Sequence, residues 1–119
     1  MHELSIAVSI VEVASEEAES HDLEVVAVRL RLGPLSGVVK EALLFSFEIA
    51  RAGSRVENAR LEIEEMPITV YCPQCQAVRG VESIQRLCCK VCGTASVDLR
   101  SGRELEVVGL EVQDEPAPA

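Results

Sequence analysis

The feature that most constrains this chain is a set of two C-x₂-C pairs, Cys72-Pro-Gln-Cys75 and Cys89-Lys-Val-Cys92, with thirteen residues between them. Each pair can place two sulfur atoms on one side of a tight turn. Two such turns that face each other form a tetrahedral four-sulfur site, a geometry that Zn²⁺ accepts. A thioredoxin-like redox site would need only one such pair, at the start of a helix within a β-α-β pattern. The spacing therefore predicts zinc ligation by Cys72, Cys75, Cys89 and Cys92.

The predicted zinc site is structural rather than catalytic. Four thiolates close the coordination shell, whereas a catalytic zinc keeps one position open. The surrounding segment holds few large apolar residues, and zinc binding, worth on the order of 10–16 kcal/mol, can replace the missing core. Gly93 allows a tight turn after the second pair, while Gln76 occupies the matching position after the first. Cys88 fits the pairs less well than Cys89 and is interpreted as a small packed side chain.

Outside the cysteine segment, hydrophobic periodicity predicts an α/β (α+β) fold. The patterns favour helices over 3–20 and 38–52, and strands over 24–32, 59–64 and 104–112. Ser36 is the predicted N-cap of the second helix. We expect a small sheet of about three strands packed with two helices, plus an inserted zinc-ribbon-like domain with four cysteine ligands. The predicted α/β domain is discontinuous and spans 1–70 and 104–119, and the predicted zinc-binding domain spans 71–103.

Charge and hydropathy exclude several functional classes. The 119 residues carry a net charge of −9, which argues against general nucleic-acid binding. The segment 72–103 has five basic and two acidic residues, an excess that four zinc-bound thiolates would largely offset. No apolar run reaches the roughly 18 residues of a membrane span, and no secretory signal pattern begins the chain. We therefore expect a cytoplasmic protein without membrane partners, and cytosolic cysteines favour metal binding over disulfides.

The opening residues MHELSI contain a second candidate metal site. A zinc-protease H-E-x-x-H motif would need histidine at position 6, which is Ile6. The α-amine of Met1, the backbone nitrogen of His2 and the His2 imidazole can instead form adjacent chelate rings. Nitrogen-rich planar coordination suits Ni²⁺ or Cu²⁺. The alternative is an ordinary solvated histidine, and a fourth donor could be the Glu3 amide or carboxylate, a water, or another chain.

Several motifs in order along the chain resemble the HypA/HybF nickel metallochaperones of hydrogenase maturation. They are the opening M-H-E-L-S, the G-P-L-S-G at 33–37, the F-S-F-E at 45–48, the G-R-E-L at 102–105 and the two cysteine pairs. The resemblance covers essentially the whole chain.

This resemblance implies that Met1, His2 and Glu3 bind nickel and that the four paired cysteines bind zinc. It also implies that Ni²⁺ is passed toward the large subunit of [NiFe]-hydrogenase with the help of the GTPase HypB. Some family members serve urease, so urease maturation proteins are further expected partners. The cysteine segment contains no histidine, so an additional nickel ligand from that region has no match here. We expect a monomer or a weak homodimer.

Two other functional classes compete with nickel delivery. A zinc-ribbon adaptor for protein or nucleic acid would explain the cysteines but would give MHELSI no purpose. It would depend on the basic residues of the cysteine segment, Arg79, Arg86, Lys90 and Arg100. An enzyme is disfavoured because the sequence shows neither a nucleophile–base pair nor an open metal shell.

Overall fold

A computed structural model describes residues 2–113. The helices are α1, Glu3–Ser20, and α2, Lys40–Ala50, with a 3₁₀ turn at Pro34–Ser36. The strands are β1, Val25–Leu32; β2, Arg60–Glu65; β3, Thr69–Cys72; β4, Ala77–Ser83; β5, Arg86–Cys89; β6, Leu99–Ser101; and β7, Leu105–Val112.

The two helices belong with a three-stranded sheet of order β2-β1-β7, in which β1 is central. The helices and this sheet share one aliphatic core, whose fully buried side chains include Leu30, Leu43, Phe47 and Val56. The helix, strand and cysteine pattern confirms the predicted fold class. In the part of the chain that the structure describes, no helix is long and apolar enough to cross a membrane.

The other face of this sheet carries a closed ring of ion pairs. Arg29 on β1 lies 3.5 Å from Glu62 on β2 and 3.8 Å from Glu111 on β7. Arg60 on β2 lies 2.9 Å from Glu62 and 3.1 Å from Glu111. Each carboxylate thus meets two guanidinium groups, and the ring joins all three strands. Exposed pairs of this kind contribute about 0–1 kcal/mol each, so the ring aligns the strands more than it stabilises the core.

The start of α2 differs from the prediction. Ser36 is not its N-cap, because the chain forms a 3₁₀ turn there and then passes through Gly37 at φ 79°. A left-handed residue cannot continue a right-handed helix. The helix therefore starts later, at Lys40, with Val39 at the N-cap and no side-chain capping hydrogen bond from it.

The cysteine segment forms a four-stranded sheet of order β5-β4-β3-β6. Strands β3 and β4 pair antiparallel, from Thr69 opposite Gly80 to Cys72 opposite Ala77. This register places the first cysteine pair in the turn between the two strands. The second pair begins at the end of β5, so both pairs lie where a strand ends.

The chain separates into two compact units. The first contains the residues up to Leu30, Val38–Ile63 and the residues from Val107 onward; the second contains Arg31–Gly37 and Glu64–Glu106. The predicted division into 71–103 and the remainder stays a prediction.

Within the second unit, two glycine-containing segments pass very close to each other. Gly33 donates its N–H to the Glu104 carbonyl at 2.8 Å, and Leu35 donates to the Gly102 carbonyl at 2.7 Å. The Glu104 carboxylate also accepts the Gly102 N–H at 2.8 Å. A Cβ atom at Gly33 would overlap the backbone carbon and oxygen of Gly102. This crossing therefore requires glycine at position 33.

We predict that Gly33→Ala lowers the free energy of unfolding by about 1–3 kcal/mol, because backbone atoms cannot move aside as a flexible side chain can. Urea denaturation measures the change. Gly109→Ala is the matched control, since a Cβ there meets no heavy atom within 4 Å. Equal losses in the two variants would contradict the close crossing.

Candidate metal centres

The four paired cysteines converge in the second unit. Cys72 ends β3 and Cys89 ends β5, and both side chains are fully buried. Cys75 is half-buried and Cys92 is exposed, each three residues further along its turn. The cluster therefore has two buried cysteines, Cys72 and Cys89, and is open to solvent at Cys92.

The spacing of the sulfur atoms fits a tetrahedral metal site. The Cys72 and Cys92 sulfurs are 3.4 Å apart, the Cys75 and Cys89 sulfurs are 3.9 Å apart, and all four lie within 4.8 Å of one another. Four sulfurs at the usual zinc–sulfur bond length of about 2.3 Å would be separated by about 3.8 Å. The arrangement can thus accept a tetrahedral thiophilic ion with little movement.

Backbone N–H groups are directed at the sulfurs in both turns. Cys75 donates to the Cys72 sulfur at 3.4 Å, and Cys92 donates to the Cys89 sulfur at 3.5 Å. The two turns also share a left-handed residue after the second cysteine, Gln76 at φ 54° and Gly93 at φ 79°. The glutamine therefore adopts the backbone conformation that glycine favours, and the two turns are local copies of each other.

The four thiols differ in acidity. Hydrogen bonds from the Thr94 hydroxyl and backbone N–H lower the pKa of Cys92 to about 6 from its ordinary 9.0. The backbone N–H of Cys92 is the main cause that lowers the pKa of Cys89. At Cys75 the Arg79 guanidinium lowers the pKa, but the neighbouring sulfurs and burial outweigh it and raise the value to about 11. Not all four sulfurs ionise together without a cation, so metal binding must release protons.

Two residues beside this cluster were not assigned to the metal site from the sequence. The Arg79 guanidinium is near enough to the Cys75 sulfur to lower the pKa of that thiol, and its Nε is buried without a hydrogen-bond partner. The Thr94 Oγ1 lies 3.1 Å from the Cys92 sulfur. The position of Arg79 near Cys75 depends on how β3 pairs with β4, and the sequence pattern alone does not show that pairing. Thr94 could have been found from its place just after the second turn.

The segment after the second pair is tied back to β3 through a buried serine. Ser96 donates its hydroxyl to the Tyr71 carbonyl at 2.6 Å and accepts the Asp98 N–H at 3.3 Å. Tyr71 in turn donates its N–H to the Asp98 carbonyl at 2.9 Å. The remaining cysteine, Cys88, is half-buried and forms an isolated bridge with Ala95. It lies outside the four-sulfur group.

The predicted nickel residues lie at the start of α1. His2 is exposed and occupies the N-cap position, with φ −86° and ψ 96° and no side-chain capping hydrogen bond. Glu3 is the first helical residue, and its carboxylate accepts the Val39 N–H at 3.3 Å. The Met1 assignment lies outside the described residues. Within 2–113, the paired cysteines are the only group of three or more His, Cys, Asp or Glu side chains that could hold a metal.

The second histidine lies far from this terminus. His21 follows the last residue of α1, at the opposite end of a helix of 18 residues. At a rise of 1.5 Å per residue, the helix that separates the two histidines is about 27 Å long. His21 therefore does not belong to a site built on His2.

Comparison with known proteins relates this geometry to a family. The family model described as "Hydrogenase/urease nickel incorporation, metallochaperone, hypA" matches residues 1–112. This chain belongs to the HypA family. A hydrogenase maturation factor HypA from Roseiflexus sp. (strain RS-1) is 48% identical over 120 residues, covering 100% of this chain and 98% of that protein. The corresponding protein of Chloroflexus aggregans is also 48% identical, over 93% of this chain and 98% of its own length.

Solved HypA structures share the fold. The solution structure of the Ni metallochaperone HypA from Helicobacter pylori matches with a TM-score of 0.65 and 26% identity, covering 97% of this chain and 100% of that one. A second HypA solution structure matches with a TM-score of 0.71 and 25% identity, covering 97% and 98%. The resemblance drawn from the sequence motifs is confirmed at the level of the family.

We predict that Cys92 is the most rapidly alkylated of the four paired thiols at pH 7 when labelling follows immediately on chelation, while the four-stranded sheet is still folded. Its folded-state pKa is depressed, so the thiolate is favoured above about pH 6 and is lost as the pH falls through that value. Iodoacetamide labelling followed by peptide mass spectrometry gives the rate at each cysteine against pH.

Thr94→Val removes the hydroxyl and keeps the backbone N–H, so it should shift the Cys92 labelling midpoint to higher pH. Cys75 is the internal control, because its pKa of about 11 keeps it protonated at neutral pH. Faster labelling of Cys75 than of Cys92 at pH 7 would contradict the assigned acidities.

Proposed function

We propose that this protein is a nickel metallochaperone that binds Ni²⁺ at its N-terminus and delivers it for assembly of the [NiFe]-hydrogenase active site. The observation that carries the proposal is the placement of His2 in a chain of the HypA family. The histidine is exposed directly before α1, and its imidazole makes no capping hydrogen bond to the helix. The imidazole is therefore available to a metal ion.

The donor atoms we assign to nickel come from the first residues of the chain. They are the α-amine of Met1, the backbone nitrogen of His2 and the His2 imidazole, with Glu3 adjacent to them. Covalent linkage keeps the three nitrogens close, and such nitrogen-rich sites suit Ni²⁺. A site with few protein ligands at a chain terminus also allows release by ligand exchange.

The four-sulfur cluster supports a separate, structural role for Zn²⁺. Its all-sulfur donor set, its four sulfurs within 4.8 Å of one another and the N–H groups directed at sulfur suit a closed tetrahedral zinc site. Zinc bound there would hold the two turns together and add no open coordination position. We therefore assign zinc to Cys72, Cys75, Cys89 and Cys92, and nickel to the terminus.

Nickel delivery requires one partner that receives the ion and another that drives its transfer. We propose the GTPase HypB and the large subunit of [NiFe]-hydrogenase, with urease maturation proteins as further recipients where that enzyme is present. The transfer is proposed to occur in the cytoplasm and involves no reaction catalysed by this chain. We also propose that residues 1–70 and 104–119 form the nickel-binding α/β domain and that residues 71–103 form the zinc-binding domain.

We predict that His2→Ala weakens Ni²⁺ binding by more than about tenfold, since even changes next to a metal ligand cost 10–100-fold. Isothermal titration calorimetry of untagged, zinc-loaded protein measures the affinity. His21→Ala is the matched control, because it removes the other histidine from the far end of α1. Unchanged affinity in His2→Ala would remove the terminus from nickel binding and favour the adaptor hypothesis.

An N-terminal extension provides a companion test with every side chain intact. A peptide fused before Met1 converts the α-amine into an amide, so nickel affinity should fall as it does in His2→Ala. Acidification should weaken binding in the untagged protein, because protons compete for the amine and the imidazole. Full affinity with a blocked amine would contradict the proposed donor set.

We predict that zinc removal destabilises the four-stranded sheet and leaves the helices protected. After chelation, amide hydrogen exchange should become fast over 69–101, whereas Leu43 and Phe47, which are fully buried in the aliphatic core, should stay protected. Re-addition of zinc should restore protection. A 69–101 segment that remains protected without metal would show that zinc is dispensable there.

A further inference from the structure

The first turn of α2 lacks the residues that normally cap a helix. A helix leaves its first four N–H groups without intrahelical acceptors. In a capping box, a Glu or Gln at position N3 accepts the N–H of the N-cap residue. Here the N-cap is Val39 and N3 is Ala42, neither of which has a side-chain acceptor. The acceptor for the Val39 N–H must therefore come from elsewhere.

That acceptor is Glu3 of the other helix. Its Oε2 lies 3.3 Å from the Val39 nitrogen, although the two residues are 36 positions apart. Glu3 is also the first residue of α1, so one carboxylate lies at the N-terminal end of both helices. The positive ends of two helix dipoles favour a negative charge there. In accord with this geometry, hydrogen bonds from the backbone N–H groups of Glu3 and Val39 lower the pKa of Glu3.

We propose that the Glu3 carboxylate caps α2 and thereby positions the nickel-binding terminus, and that it is not itself a nickel ligand. The inference rests on the proposed function for the terminus, but the capping contact exists independently of nickel. Coordination of nickel by this carboxylate would require it to leave the Val39 N–H. The carboxylate thus contributes to nickel binding indirectly, because its hydrogen bond to Val39 holds the backbone of residue 3 in place.

The positioning effect follows from chain connectivity. The two residues before Glu3 carry the three nitrogen donors assigned to nickel. With residue 3 held on both helices, the nitrogen donors of His2 are kept near the start of α1. Restricting donors before the ligand arrives reduces the entropy lost on binding. A loosened residue 3 should therefore weaken nickel binding although every nitrogen donor remains.

Two substitutions separate capping from coordination. Glu3→Gln keeps an oxygen that accepts the Val39 N–H but removes the carboxylate that would bind a cation. Glu3→Ala removes both. Glu12→Ala is the control for loss of one negative charge from α1, since Glu12 is an exposed residue further along the helix.

The first measurement is amide hydrogen exchange at Val39 by NMR in the zinc-loaded, nickel-free protein. We expect Glu3→Ala to accelerate exchange by about fivefold, in line with the loss of a helix cap. Glu3→Gln and Glu12→Ala should remain close to the parent protein. Unchanged exchange at Val39 in Glu3→Ala would overturn the capping role.

The second measurement is calorimetric titration of the same variants with Ni²⁺. We expect Glu3→Ala to bind nickel about threefold to tenfold more weakly and Glu3→Gln to retain affinity within about twofold. Equal weakening in both variants, with Val39 still protected in Glu3→Gln, would identify the carboxylate as a ligand and overturn the proposal. Unchanged affinity in Glu3→Ala would overturn the positioning role.

The two levels of inference fail in different ways. If His2→Ala binds nickel normally, the proposed function of the terminus fails, while the Val39 exchange result still decides whether Glu3 caps α2. If His2→Ala loses nickel and Glu3→Gln loses it equally, nickel binding at the terminus stands and the role assigned to Glu3 fails.

Discussion

The cysteine segment is built around four sulfur atoms that lie within 4.8 Å of one another, so close that ionised sulfurs repel each other. Hydrogen bonds with Thr94 lower the pKa of Cys92, whereas the neighbouring sulfurs and burial raise the pKa of Cys75 despite the nearby Arg79. A divalent cation at the centre would offset this repulsion, because each ionised sulfur would be attracted to it. The strands, the two turns and the Ser96 contacts bring the sulfurs together, and a bound metal ion would make that proximity favourable.

The sequence predicted the parts of the fold that depend on local patterns. The spacing of the cysteine pairs identified the four sulfurs that converge, because each turn is encoded within four consecutive residues. Alternating and helical periodicity located both helices and the three strands of the body to within one or two residues. The pattern over 24–32 is visible in the structure, where the exposed Arg29 and Arg31 of β1 alternate with buried apolar residues.

The remainder depended on backbone conformation and on contacts that local patterns do not show. The N-cap of α2 was misplaced at Ser36 because the left-handed conformation of Gly37 is not evident from its neighbours. The contact between Glu3 and Val39 arises only when two helices pack with their N-termini together. The position of Arg79 beside Cys75 depends on the β3–β4 register.

The order of the three-stranded sheet has a consequence for biosynthesis. Its central strand, β1, ends at Leu32 and pairs on one side with β7, which begins only at Leu105. During translation, the helices and the whole cysteine segment therefore leave the ribosome before β7 can pair with β1. Until then the nascent chain exposes one unpaired edge of β1, and strands with unpaired edges are prone to aggregate. Completion of the sheet thus waits until β7 has been made, and a stop codon before Leu105 would leave that edge open permanently.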